Sequence, residues 1–369
     1  MPAPAPSFSK GTDMPHPPPA GTTPASLGWT DHFSTAFDPY AGSHRPARVA
    51  RVDRGAADAL LLDGSAVRAR TRPDAEPAVG DWVALARTTD HDRAGYVVDA
   101  VLPRRTAIER AAATGRSEAQ VLAANVDLVL VVVPTFPPPK AALVERMLAL
   151  AWDSGATPLV VLAKSDLTNE ADAIAADLAE AAPGVDVVAV NAVTADGLDA
   201  LRPYLAPGRT LCLVGRSGAG KSTLANALAG AEVLATAGIR SDGKGRHTTT
   251  HRQLVPLPGG AVLLDTPGLR GAGLWVTDAG LDRAFGDVDE LVEQCRFSDC
   301  AHVTEPGCAV LAAVDDGRLS ERRLQSWRKL QREAAWMASR NDARLRAERA
   351  RQWKLLSAEV RRSGRIRPG

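Results

Sequence analysis

The order in which three short segments occur constrains this chain more than any other feature. Ala163-Lys164-Ser165-Asp166 follows the apolar run Pro158 to Leu162. It precedes the glycine-rich loop Gly215-Arg216-Ser217-Gly218-Ala219-Gly220-Lys221-Ser222, and Asp265-Thr266-Pro267-Gly268 comes last. A glycine-rich loop between a strand (Leu211 to Val214) and a helix beginning near Lys221 is a phosphate cradle. Gly215 and Gly220 let backbone N–H groups turn toward phosphate oxygens, and the helix N-terminus adds its positive end. Arg216, Ser217, Gly218 and Ala219 line such a loop. Lys221 bridges the outer phosphates, Ser222 sets its hydroxyl on Mg2+, and Thr223 follows in the first helical turn. Asp265, at the end of an apolar strand, reaches the same ion directly or through water, and the Gly268 N–H meets the terminal phosphate.

The first segment reads the base. A carboxylate at Asp166 accepts from the N1–H and exocyclic amine of guanine, a donor pair that adenine does not offer. A site built around that pair rejects other bases, because they leave the carboxylate unpaired. Lys164 and Ser165 flank it, and Ala192, in the loop after Val190, offers a second base contact through its N–H. In ordinary GTPases the base-reading segment comes last, so here the order is rearranged. Two positions depart from the usual pattern. Ala163 stands where most GTPases carry a side chain that ties the base-reading loop to the phosphate loop. Leu269 stands where Ras-like enzymes place the glutamine that orients the attacking water, which makes unaided turnover slow.

A chain of 369 residues holds two or three domains, and 45% hydrophobic residues fits a globular protein. The net charge of +1 conceals an asymmetry, because residues from Arg318 onward carry sixteen Arg/Lys against five Asp/Glu. Such a basic tail points to a polyanionic partner, nucleic acid first. No secretory signal is visible, and no apolar run reaches the roughly 18 residues of a membrane helix. The expected location is the cytoplasm, with no membrane partner. In that reducing setting Cys295, Cys300, His302 and Cys308 read as a closed Cys3His tetrahedral set for one structural zinc ion. Cys212 lies apart, in the apolar run before the phosphate loop, and reads as a buried strand residue.

The expected architecture is multidomain. Residues 1–45, rich in Pro, Ala, Ser and Gly, read as a disordered arm. Residues 46–104 contain five short alternating strands, enough for a small closed barrel that binds RNA, an OB-fold in its economical form, although an SH3-like barrel would look similar. Residues 105–290 alternate strands and helices, as a parallel sheet flanked by helices requires. Residues 291–369 hold the zinc module and a basic helical tail from Arg318 to Arg362. In that tail Leu324, Trp327, Leu330, Trp336 and Trp353 supply apolar contacts.

Taken together, Val79-Gly80-Asp81-Trp82-Val83, Gln120 to Asp127, the reordered motifs, Gly245-Arg246-His247-Thr248-Thr249-Thr250 and the Cys3His cluster resemble the bacterial ribosome small subunit-dependent GTPase A family. The resemblance covers roughly residues 46 to 369. It implies a circularly permuted P-loop GTPase that binds GTP and GDP and acts on the small ribosomal subunit and its rRNA late in assembly; a monomer is expected. The subunit would stimulate hydrolysis. The resemblance makes His247 the substitute for the missing glutamine, orienting or deprotonating water, with one of Thr248, Thr249 and Thr250 on Mg2+, here assigned to Thr249. The rival class is a nucleic-acid-binding module in which guanine nucleotide is mainly a structural or regulatory ligand.

Overall fold

The computed structural model describes residues 23–90, 93–110, 120–234, 253–265 and 277–341. They fall into two compact units, one built from residues up to 274 and the other from residue 275 onward.

The first unit opens with a 3-10 turn (Ala25–Leu27), helix α1 (Asp31–Phe37) and a second 3-10 turn (Asp38–Tyr40). Part of the stretch read as a disordered arm is therefore structured. The reason is aromatic: Trp29 packs edge-on against Trp82 at 4.7 Å between ring centroids, and Phe33 lies 5.8 Å from the same ring. Leu27, Phe33 and Phe37 are buried. Four such apolar side chains offset the entropy of ordering a short segment, which composition alone did not suggest. Residues 1–22 of the arm lie outside the described residues.

Strands β1 (His44–Asp53), β2 (Ala56–Leu61), β3 (Ala66–Thr71), β4 (Trp82–Asp90) and β5 (Arg93–Val101) form the barrel. The ring runs β1-β2-β3-β5-β4 and closes through β4 on β1, with β3 parallel to β5. This ring order is that of an OB-fold and settles the choice against an SH3-like barrel. Its interior is small and apolar, with Ala47, Val49, Ala59, Leu61, Val83, Leu85 and Val98 pointing inward. A hairpin of β6 (Ala107–Arg110) and β7 (Gln120–Ala124) follows.

The main sheet contains β8 (Leu128–Pro134), β9 (Thr157–Ala163), β10 (Val187–Val190), β11 (Thr210–Val214), β12 (Gln253–Pro256) and β13 (Val262–Asp265). Helix α2 (Ala141–Asp153) joins β8 to β9, and α3 (Ala171–Ala181) joins β9 to β10. Helix α4 (Lys221–Ala229) follows β11. The strand order is β10-β9-β8-β11-β13-β12. All neighbours are parallel except β12, which runs antiparallel to β13 and also pairs with β1 of the barrel, Arg51 opposite Gln253. The expected parallel sheet thus includes one antiparallel strand, through which it continues into the barrel. β8 is nearly continuous in buried apolar residues because both of its faces are covered. From β8 the chain winds outward to β10 and then returns to β11 on the other side of β8. Ligands bind at such a switch point, beyond the C-terminal ends of the strands.

The stretches at 79–83 and 120–127 meet at the seam between barrel and sheet. Gly80 has φ +93, and a Cβ there would lie 2.2 Å from the Ala124 carbonyl oxygen, so only glycine permits this approach. Asn125 donates through Nδ2 to the Gly80 carbonyl at 3.1 Å and accepts from the Arg105 N–H at 2.9 Å. The buried Asp81 holds Arg104 through two hydrogen bonds of 2.8 Å. Arg48, 1% exposed, donates to the Leu27 carbonyl on the N-terminal segment and to Thr210 Oγ1 on β11 at 2.7 Å. One guanidinium thus ties the N-terminal segment and the barrel to the strand that leads into the phosphate loop. Burial pulls its pKa down to about 10, and it stays protonated at neutral pH.

The second unit consists of α5 (Asp278–Ala284), α6 (Gly286–Val292), α7 (Ala309–Asp315) and α8 (Glu321–Asn341). Ser320 opens α8 by accepting the Arg323 N–H on its hydroxyl at 3.3 Å. Arg323 is itself buried and forks onto both Asp287 oxygens at 2.6 Å, fixing α8 to α6. The tail read as helical to Arg362 lies outside the described residues beyond 341. No helix among the described residues is long and apolar enough to cross a membrane.

Candidate functional site

The C-terminal ends of β9, β10, β11 and β13 carry the segments singled out in the sequence. From β11 the chain turns at Gly215, φ +155, where a Cβ would sit 2.3 Å from the Val132 carbonyl oxygen. This glycine is therefore required by the close approach to β8. The loop continues through Arg216, Ser217, Gly218 and the buried Ala219, and Gly220 caps α4. Lys221, Ser222 and Thr223 form the first turn of that helix. The Lys221 ammonium donates to the Gly215 and Arg216 carbonyls, each at 2.8 Å, and so lies across the mouth of the loop. The mouth presents backbone N–H groups and a helix N-terminus, which suit an anion.

The 163–166 segment, expected from the sequence to read the base, lies against this loop. A Cβ at Gly220 would lie 3.4 Å from the Ala163 Cβ and 3.9 Å from Lys164 Cε. Lys164 takes a left-handed backbone, φ +62, and turns the chain out of β9 into a 3-10 turn, Ser165–Leu167, that leaves Asp166 exposed. Ala192 follows the neighbouring strand β10. Asn191 is buried, and its Oδ1 accepts the Val193 N–H at 2.9 Å and the Thr194 N–H at 3.3 Å, holding the loop that presents Ala192.

The sequence motifs do not include Thr135, which the structure adds to the site. This residue ends the apolar run of β8, donates its N–H to the Ala163 carbonyl at 2.9 Å, and hydrogen-bonds the Lys164 carbonyl through its hydroxyl. A buried hydroxyl directly after an apolar strand was the available signal. Thr135 anchors the backbone of the base-reading loop, but from β8 and not from the phosphate loop. The tie that a longer side chain at 163 would add is still missing. Ala163→Asn is therefore expected to tighten GTP binding by one hydrogen bond, about 0.5–1.5 kcal/mol or roughly two- to tenfold. Titration calorimetry checks this, and an Asn variant that binds no tighter counts against it.

β13 brings the backbone of Asp265 beside β11, in parallel register with Leu264 opposite Cys212. Cys212 is buried in β11 as expected. Gly268, His247 and Thr249 lie outside the described residues.

In the second unit Cys295, Cys300, His302 and Cys308 converge, with their ligand atoms all within 4.8 Å of one another. His302 Nδ1 is 3.5 Å from the sulfurs of both Cys295 and Cys308, which are 3.9 Å apart. Cys295 follows α6, and Cys308 is the N-cap of α7, its sulfur accepting the Leu311 N–H at 3.5 Å. The intervening loop is organised by Glu305, whose carboxylate accepts the N–H groups of Ala301, Val303 and Thr304 at 3.1, 2.7 and 3.0 Å. Those bonds hold its pKa down to about 2. His302 adopts φ +57, and burial lowers its pKa, favouring the neutral imidazole that metal ligation needs. Arg328 of α8 donates to the His302 carbonyl, and Trp327 meets the imidazole edge-on at 5.7 Å. Trp327 is thus a packing residue, as its spacing suggested.

Burial raises the Asp289 carboxyl to about 6, helped by the charge of Asp282, opposed by a hydrogen bond from Trp327, and helped further by Asp287 and Glu293. Ionisation is resisted in the folded state, so the stability this group contributes below pH 4 is lost as pH rises through 6. Asp289→Asn should stabilise this unit above pH 6 and have no effect near pH 4. Solvent screening of a partly exposed group limits the gain to about 1 kcal/mol. Thermal melts of the variant and the parent at pH 8 and pH 4 test the sign.

Comparison with known proteins agrees with this geometry. The RsgA GTPase family matches residues 101–275. A Streptomyces coelicolor protein named "Small ribosomal subunit biogenesis GTPase RsgA" is 51% identical over 84% of this chain and 86% of its own length. A protein of the same name from Syntrophotalea carbinolica is 44% identical over 84% of this chain and 89% of its own. Among solved structures, YjeQ from Thermotoga maritima aligns with a TM-score of 0.58 and 26% identity, covering 79% of this chain and 98% of that one. YloQ, described as a circularly permuted GTPase, aligns with a TM-score of 0.57 over 79% of this chain. With its barrel, its reordered nucleotide motifs and its Cys3His cluster, this chain is a member of the RsgA family of circularly permuted GTPases.

Proposed function

We propose that this protein hydrolyses GTP on the small ribosomal subunit late in its assembly, that the subunit stimulates hydrolysis, and that hydrolysis is coupled to release. The observation that supports the nucleotide assignment is the approach of Ala163 and Lys164 to Gly220, since a segment that reads the base and a loop that holds the phosphates need to be neighbours. The partner assignment comes from the relatives' names and from the basic tail.

In this reading Asp166 accepts from guanine, Ala192 offers its N–H, and Lys164 packs over the base with Ser165 beside it. The N–H groups from Gly215 to Thr223 hold the phosphates, and Lys221 leaves the loop carbonyls to bridge the outer ones. Ser222, Thr249 and Asp265 are the oxygen donors for Mg2+, an ion that neutralises phosphate charge when bound. Gly268 meets the terminal phosphate, and His247 orients the water.

In the second unit, tetrahedral zinc with Zn–S near 2.3 Å and Zn–N near 2.0–2.1 Å requires S···S of roughly 3.8 Å and S···N of roughly 3.5 Å. Among Cys295, His302 and Cys308 the distances of 3.9 and 3.5 Å fit that geometry, and Cys300 lies within 4.8 Å of all three. The set of four protein ligands makes the ion structural, and Glu305 and Arg328 fix the ligand loop around it.

GTP turnover measured alone, with small subunits, and with large subunits or ATP as controls tests the proposal. Stimulation confined to GTP and small subunits is expected. His247→Ala should reduce the stimulated rate about 100-fold. Turnover that ribosomal particles never change would remove the partner assignment, and full stimulation of the His247 variant would remove the catalytic one.

A further inference from the structure

Helix α8 packs through Arg323, Leu324, Trp327, Leu330 and Ala334, all buried. On its opposite side, Arg322, Gln325, Lys329, Arg332 and Trp336 fall within an arc of about 80° at 3.6 residues per turn, a stripe about 21 Å long. All five are exposed. By residue type Trp336 is expected to supply an apolar contact with the other large apolar residues of the tail. It is instead 51% exposed, whereas Leu324 is 0% and Trp327 and Leu330 are each 4% exposed. The stripe carries three cations and no carboxylate. Glu321 and Glu333 border it, and Gln325 donates to Glu321 Oε1 at 3.0 Å. A large aromatic on solvent among cations is costly for packing and well suited to an unpaired base, whose flat face stacks on indole while neighbouring cations meet the phosphates.

We propose that this face of α8 is a single-strand RNA contact, in which Trp336 stacks on an unpaired base and Arg322, Lys329 and Arg332 hold the flanking phosphates. The proposal rests on the reading that the protein acts on an rRNA-containing particle, and it names the chemistry of that contact. A duplex hides its base faces, so the stripe selects unpaired RNA.

The two kinds of contact differ in their response to salt. Stacking sets affinity without releasing counterions, whereas each phosphate contact on a single strand adds about 0.7 to the slope of log K against log salt. With the full-length, metal-loaded protein and a labelled unpaired RNA oligonucleotide, Trp336→Ala is expected to weaken binding about tenfold at unchanged salt slope. Trp336→Phe should stay within about threefold of the parent, and joint replacement of Arg322, Lys329 and Arg332 by glutamine should lower the slope by about 2. Parental affinity of Trp336→Ala, or equal binding of duplex and single strand, would overturn the proposal. The same variants on small subunits separate it from the reading beneath it. Oligonucleotide binding that depends on Trp336, without any subunit binding, removes the subunit reading and leaves the contact. Loss of subunit binding by Trp336→Ala with oligonucleotide binding intact assigns the stripe to a protein partner and overturns the RNA contact.

Discussion

Replacing Asp166 with asparagine is expected to lower kcat/KM for GTP by about 100-fold or more while raising it for the xanthosine analogue. The carboxylate at the end of β9 lies in a turn set by the left-handed Lys164 and held by Thr135. Its two acceptor oxygens match the two donors on the guanine edge, and hydrogen bonds to a charged group contribute about 1.5–3 kcal/mol each. An amide keeps one acceptor and presents a donor where guanine also has one, so one bond is lost and one contact becomes repulsive. Xanthine carries a carbonyl at that position and restores the pair. Steady-state turnover of guanosine, xanthosine and adenosine triphosphates by parent and variant measures this. A variant that keeps its preference for guanosine would show that Asp166 does not read the base.

The second large effect concerns the Cys3His cluster. Removing the metal with a chelator, or replacing Cys308 by serine, should unfold the region from α6 to the start of α8 and leave the barrel and sheet folded. Apparent binding free energies of structural zinc sites are about 10–16 kcal/mol, more than a small module can supply from its own core. Besides the proposed ion, the ligand loop is held mainly by polar contacts from Glu305 and Arg328 and by Trp327 against His302. Glu305 binds three backbone N–H groups, and among large apolar side chains Phe297 and Val303 are exposed. Hydrogen exchange with and without chelator should lose protection across residues 286–330 and keep it in β8 and β11. Unchanged protection after verified metal removal would mean that the four residues are held by packing alone. GTP binding in the first unit is expected to survive.

Both experiments bear on residues whose roles are legible in the sequence. The phosphate loop, the Asp166 turn and the Cys3His set are short runs whose chemistry follows from residue type and close spacing. The strand order was only partly legible. Apolar runs marked most strands, but the short β12 gave no distinctive run, and the aromatic residues between 29 and 37 were obscured by the Pro- and Ala-rich composition around them. Trp336 misleads for the opposite reason. Its spacing is apolar by residue type, but at ~100° per residue it falls on the same arc as Arg322 and Lys329, away from Leu324 and Trp327.

The proposed guanine reader, phosphate cradle and metal set are each read from a short run of sequence, because residue type and close spacing are enough to propose their chemistry. The support of these parts comes instead from contacts between distant positions. Arg48 reaches Thr210 across 162 positions, Thr135 anchors a loop 29 positions away, and Gly80 accommodates the backbone of β7. Local preference cannot encode such contacts, because they exist only once the barrel has closed and β8 lies between β9 and β11. Burial then makes each hydrogen bond costly to break.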